Sequence, residues 1–190
     1  KTFTQTLLVL IKLIFICKGK KNINDDIKKL YEIITNESDD EWNEDIIDNT
    51  INTGFIIGRG VGFALSNEMS LKFKELCQEM IEPFSSAEVM HGPKSLIQNS
   101  FKLFILGMND KSGLTVNQDI NELKNYTDLV YEISSNQKSK SNFFYPNNRI
   151  SELDSVLLMS KFYPWIIRYT IKKGLNPDKP RYLTKVTQTF

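Results

Sequence analysis

The run Thr53-Gly-Phe-Ile-Ile-Gly58, followed at once by Arg59-Gly-Val-Gly62, constrains this 190-residue chain more than any other stretch. A β-branched and aromatic run ending in glycine predicts a strand. The glycine-spaced turn after it lets the chain reverse into a helix, predicted from Val61 to Ile81. The alternation then repeats. Phe101 to Gly107 predicts a second strand. Thr115 to Ser134 has helical spacing through Val116, Ile120, Leu123, Leu129 and Ile133, with the Thr115 hydroxyl as its cap. Asn142 to Tyr145 is a weaker strand candidate, and Ser151 to Lys173 predicts a long helix that starts at a Ser-Glu-Leu-Asp cap and is kinked or interrupted at Pro164. Strands alternating with helices predict an α/β fold, a parallel sheet covered on both faces in a three-layer αβα sandwich.

The first fifty residues read differently. Thr6 to Cys17 is the most apolar run, but Lys12 cuts it, and a membrane span needs ~20 apolar residues. Lys1 ahead of it suggests a signal peptide, yet the run ends in Cys-Lys-Gly-Lys-Lys with no small-residue pair to cleave. A buried helix is the better reading, one that needs something to pack on. After a basic break from Lys18 to Asn24, Asp25 to Thr35 predicts a second helix through Ile27, Leu30, Ile33 and Ile34. Asn36 to Asp48, acidic and amide-rich with Trp42, Ile46 and Ile47 as anchors, is the candidate domain boundary. Composition closes several function classes. With 24 basic against 23 acidic side chains there is no global basic field for nucleic acid. Two cysteines and a lone histidine, His91, support neither a disulfide framework nor a multi-histidine metal centre.

Three places could carry chemistry. Gly58-Arg-Gly-Val-Gly62 at a helix N-terminus could receive an anion on its backbone N–H groups, or be a tight turn and nothing more. On the following helix, at ~100° per residue, Glu68, Lys72, Glu75 and Glu79 share one stripe, while Asn67, Ser70, Lys74 and Gln78 form the ordinary solvent face. Two polar stripes are unusual for a surface helix, although an i,i+4 salt-bridged face would also explain the first. The third place is Glu82 to Pro93. Here His91, a group suited to proton transfer near neutrality, precedes Gly-Pro, and Ser85-Ser86 could bind an anion or cap a helix.

Taken in order, Gly58-Arg-Gly, Glu68, Leu71-Lys-Phe-Lys-Glu75, Ser86-Ala-Glu-Val-Met-His-Gly-Pro93 and Leu96-Ile97 resemble the second sugar isomerase (SIS) domain of the glucosamine-6-phosphate synthase and deaminase group. The ending Asn176-Pro-Asp-Lys-Pro-Arg-Tyr-Leu-Thr-Lys185-Val-Thr187 resembles that group's C-terminal tail, and Lys1-Thr-Phe-Thr-Gln-Thr-Leu-Leu resembles a segment near the end of the first SIS domain. Residues 98 to 173 agree in pattern only. The resemblance implies a flavodoxin-like SIS fold. It makes residues 1–45 the closing helices of a first SIS domain, residues 46–190 a second, and 174–190 its tail, with the phosphate-gripping serine loops upstream of Lys1.

By the same resemblance, Glu75 matches the carboxylate that moves a proton between C1 and C2 of the sugar. His91 matches the ring-opening histidine contributed across a dimer interface, and Lys185 the tail lysine near the open-chain carbonyl. Lys72 and Glu68 match supporting charged partners. No cofactor and no metal are implied, because acid–base groups suffice for aldose–ketose interconversion. The implied partners are a sugar-phosphate substrate and a second copy in a homodimer with a shared active site, with neither nucleic acid nor membrane; the implied location is the cytoplasm. The Phe84-Ser-Ser-Ala-Glu-Val-Met-His91 wording is closer to the deaminating isomerases than to the synthase. A deaminase that converts glucosamine 6-phosphate to fructose 6-phosphate and ammonia therefore leads. The isomerase half of an aminotransferase, a fructosamine-phosphate deglycase and a non-catalytic sugar-phosphate sensor stand as alternatives. Cys77, on the apolar side of its helix, reads as packing rather than as a nucleophile.

Overall fold

A parallel sheet of five strands organises the chain, in the order β2-β1-β3-β4-β5. In this computed structural model the described residues are 2–20, 22–36, 42–135, 142–148 and 150–183. The strands are β1 (Thr53–Gly58), β2 (Met80–Ser85), β3 (Lys102–Gly107), β4 (Val130–Ser134) and β5 (Phe143–Phe144), all paired in parallel. The helices are α1 (Thr2–Cys17), α2 (Ile23–Asn36), α3 (Val61–Lys72), α4 (Ser86–Met90), α5 (Lys111–Leu123) and α6 (Ser151–Lys172).

Period-2 alternation in the central strands divides the core in two. Ile56, Phe104 and Leu106 point to the face covered by α3 and α6, where Leu65, Met69 and Phe73 meet Leu158, Phe162 and Trp165. Phe55, Ile57, Leu103 and Ile105 point to the other face, covered by Val89 of α4 and by Val116, Ile120 and Leu123 of α5. The three-layer α/β sandwich expected from the alternation is the architecture found. Strand order reverses between β1 and β3, so the sheet's switch point lies beside the β1 glycine turn.

The N-terminal helices lie outside α6, with Ile11, Phe15, Ile23 and Leu30 buried in the same core cluster as α6. Trp42, in the candidate boundary, is inserted against Phe143 and Trp165, and its indole N–H donates to the Phe144 carbonyl at 2.5 Å. Only one side of α1 is covered. Val9, Leu10, Leu13, Ile14 and Ile16 stay at least half exposed or nearly so, which is unusual for a helix apolar all round. Among the described residues, no helix is long and apolar enough to cross a membrane.

Several element boundaries differ from the expectation, each for a physical reason. The helix predicted to run to Ile81 stops at Lys72 and widens into a π turn over Phe73–Cys77. Gln78, at φ 56°, then turns the chain into β2, an unpredicted strand. Pro83 is tolerated there because β2 is an edge strand. Thr115 does not cap α5. Asp110 does, accepting from the Gly113 N–H at 2.9 Å, and α5 ends at Leu123, so Leu129 and Ile133 belong to the β4 segment. At α6 the Ser151 hydroxyl caps nothing. Asp154 accepts the Asn148 N–H, and Asn148 Oδ1 accepts the Ile150 N–H, which together hold the entry. Pro164 sits inside an unbroken α6.

Candidate active site

The β1–α3 turn is tied down by contacts within the protein. A Cβ on Gly58 would meet the Gly62 carbonyl carbon at 2.5 Å, so glycine there permits the helix to start against the strand end. The Ser112 hydroxyl donates to the Arg59 carbonyl at 3.0 Å, and the Arg59 guanidinium lies 3.7 Å from Asp119. Ser86 donates to the same Asp119 at 2.7 Å, while Ser85 makes no capping hydrogen bond. These contacts describe a tied turn.

The charged stripe of α3 behaves otherwise. Leu65, Met69 and Phe73 anchor one side of the helix in the core, which turns Glu68 and Lys72 along its flank. Lys72 lies between two carboxylates, with Nζ 2.5 Å from Glu75 Oε2 and 3.8 Å from Glu68 Oε1. The Tyr163 hydroxyl of α6 donates to Glu68 Oε1 at 2.7 Å. Burial first, and the Glu68 carboxylate second, hold the Tyr163 phenol above its ordinary range, so it stays protonated and remains a donor. Glu75 is the most open of the three, with 30% of its side chain exposed against 23% for Lys72 and 14% for Glu68. A carboxylate at the rim, steadied by one lysine, can reach a bound molecule and exchange a proton with it.

Of the residues named from the sequence, Glu68, Lys72 and Glu75 come together. His91 does not join them. It caps the C-terminus of α4, exposed, on the sheet face opposite α3. Lys185 lies outside the described residues. The described tail nonetheless returns to the wide turn that follows α3. Arg181 and Tyr182 line a cavity of about 510 Å³ together with Lys74 and Gln78 of the wide turn and Met80 and Glu82 of β2.

Glu79 and Ser70 are misplaced by helical spacing. Ser70 is buried, donating to the Ile81 carbonyl at 2.5 Å. Glu79 lies beyond the helix and is buried, with Oε1 accepting from Tyr169 and Lys173, each at 2.6 Å, and Oε2 accepting from Lys102 at 3.0 Å. Sequence reasoning missed Tyr163 and this buried cluster. A lysine inside the strand Lys102-Leu-Phe-Ile-Leu-Gly107 was the available signal, since a buried lysine needs a partner. Cys77 is buried, and desolvation pushes its thiol up to about 12, which suits packing and not nucleophilic attack. Among the described residues no cluster of His, Cys, Asp and Glu could hold a metal ion.

The chain matches no protein-family model. It is 32% identical over 135 residues to the isomerizing glutamine–fructose-6-phosphate aminotransferase of Sulfurisphaera tokodaii, a match covering 69% of this chain and 22% of that protein. Among solved structures it resembles a glucosamine-6-phosphate deaminase from Thermotoga maritima, with a TM-score of 0.66 at 19% identity over 97% of this chain and 55% of the other. It also resembles the C-terminal domain of a glucosamine-fructose-6-phosphate aminotransferase from Francisella tularensis, with a TM-score of 0.63 at 18% identity, covering 85% and 47%. It shares the three-layer α/β sugar isomerase (SIS) fold with these structures. The SIS fold places the Glu68–Lys72–Glu75 stripe at the end of the β1–α3–β2 crossover, on the helix whose residues carried the resemblance. The SIS match to sequence relatives spans only about a fifth of their length.

Proposed function

We propose that the chain supplies the isomerising carboxylate of an amino-sugar-phosphate deaminase. The observation that carries this reading is the Glu75 carboxylate, partly exposed and paired at 2.5 Å with Lys72 on a SIS-fold helix. Open-chain glucosamine 6-phosphate loses its C2 proton to Glu75, giving an enolamine. The proton returns at C1, leaving a C1 alcohol and a C2 imine, and water hydrolyses the imine to fructose 6-phosphate and ammonia. Lys72 steadies the carboxylate, and Glu68, held by Tyr163, keeps Lys72 in place.

In this reading His91 opens the sugar ring in a second copy of the chain, because in its own copy it lies across the sheet from Glu75. Lys185 approaches the open-chain carbonyl, a placement supported by the tail's return to the wide turn at Arg181 and Tyr182. The uncovered apolar side of α1 supports residues 1–45 as closing helices of a first SIS domain that would supply the phosphate grip. A phosphorylated substrate and two free cysteines suit the cytoplasm.

A second reading is favoured by the sequence relatives, which are aminotransferases: the same carboxylate would run the reaction toward glucosamine 6-phosphate. Supplying the protein that carries this chain with glucosamine 6-phosphate, or with fructose 6-phosphate and glutamine, separates the two. Ammonia from the first substrate with no amino sugar from the second supports the deaminase. The reverse outcome supports the aminotransferase. Tight calorimetric binding with no turnover of either would leave a sensor.

A further inference from the structure

Glu75 stands in the rarest turn of the molecule. After regular α3, the chain widens over Phe73–Cys77 into a π turn, a geometry found mostly as single turns and frequently at functional sites. Both the Gln78 N–H and the Glu79 N–H fall on the Phe73 carbonyl, the latter at 3.2 Å. Something outside the turn must hold such a strained closure, with Gln78 left-handed at φ 56°.

We propose that Glu79 is a positioning residue for Glu75, fixing the wide turn through Lys102, Tyr169 and Lys173. The side chains of Glu79 and Lys102 are fully buried, and the anchors come from two elements: Lys102 from the first residue of β3, and Tyr169 and the C-cap Lys173 from the end of α6. Lys102 also donates to the Tyr169 hydroxyl at 2.9 Å, so the phenol donates to one partner and accepts from the other. Close backbone approach makes room for the cluster: a Cβ on Gly54 would meet the Lys102 carbonyl oxygen at 2.4 Å.

Burying two lysines and a carboxylate costs desolvation that apolar side chains would avoid, and the best-attested return on such a cluster is a fixed register. Desolvation draws the Lys102 ammonium below its ordinary range against the pull of Glu79. The same α6 that holds Glu79 also holds Glu68 through Tyr163 and meets Cys77 through Thr170 at 3.3 Å. Glu75 is thus held between contacts to one helix on either side of it.

This inference rests on the reading of Glu75 as the base, but its test does not require turnover. The variants are Glu79→Gln, which removes the charge, and Glu79→Leu combined with Lys102→Met, which replaces the buried pair by apolar packing. In each, amide exchange is followed over residues 73–79, with Lys72, Glu68 and Tyr163 around Glu75 unchanged, beside the carbon-13 chemical shift of the Glu75 carboxyl. Expected are a displaced Glu75 carboxyl resonance, tenfold faster exchange in the turn, and kcat lowered tenfold with KM within twofold. The double variant recovers the melting temperature but not kcat. A wild-type resonance and wild-type exchange in a folded variant overturn the proposal. So does failure of both variants to fold, which would assign the cluster to stability alone. An inactive parent with faster turn exchange and a displaced Glu75 resonance in the variants removes the isomerase reading and keeps the positioning role.

Discussion

Two charged clusters lie within a few residues of each other on the α3–β2 segment, and they live in different solvents. Glu68, Lys72 and Glu75 sit at the rim with side chains 14–30% exposed. Glu79 and Lys102 sit at 0%. Near the surface a pair is screened, contributes little to stability and is free to meet a ligand. In the interior the same chemistry is locked by its desolvation cost and meets only protein. The residue types are alike, so environment alone separates a cluster open to a ligand from one that meets only protein.

The largest expected break in that comparison is Glu79→Ala, which strands two lysines. Removing one partner of a buried pair costs about 3–5 kcal/mol, whereas Glu68→Gln or Lys72→Met should cost under about 1 kcal/mol in urea denaturation. Equal costs would erase the distinction.

Next is Asp154, a second buried carboxyl, whose pKa burial raises from 3.8 to about 7 against the opposing Asn148 N–H, with Asp110 and Glu152 adding to the rise. The folded state binds the proton more tightly than the unfolded one. Its stabilising effect is therefore full below the ordinary carboxylate pKa and is lost as pH rises through about 7. Melting of the wild type should fall between about pH 4 and 7, and Asp154→Asn should flatten that slope; an unchanged slope would count against the buried assignment.

Tyr163→Phe sharpens the rim cluster. Loss of one hydrogen bond to a charged group should cost about 1.5–3 kcal/mol in denaturation and slow turnover less than tenfold. The smallest effect separates the cysteines. An alkylating reagent at mild alkaline pH should label exposed Cys17 in the folded protein and spare Cys77, as mass spectrometry would count.

Much of this was legible beforehand. β1, β3 and α6 follow from runs whose period matches their element, and Glu68, Lys72 and Glu75 follow from one helical stripe. What the stripe could not show is where the helix stops. Neither glycine nor proline marks the exit at Gln78, so Glu79 looked like a fourth rim charge and the first two residues of β2 like helix. The β4 segment failed for a related reason, since Leu129 and Ile133 suit a helix as well as a strand until tertiary pairing decides. Tyr163 reaches Glu68 across 95 residues of sequence, a distance no local pattern spans.

The central claim is that the open carboxylate at the rim does the chemistry. Its most direct test is Glu75→Gln in the protein that carries this chain, with ammonia release from glucosamine 6-phosphate and calorimetric binding of the same sugar measured together. Turnover should fall on the order of a thousandfold, within the range general-base removal produces, while affinity stays within about threefold. Undiminished ammonia release by the variant would contradict the account.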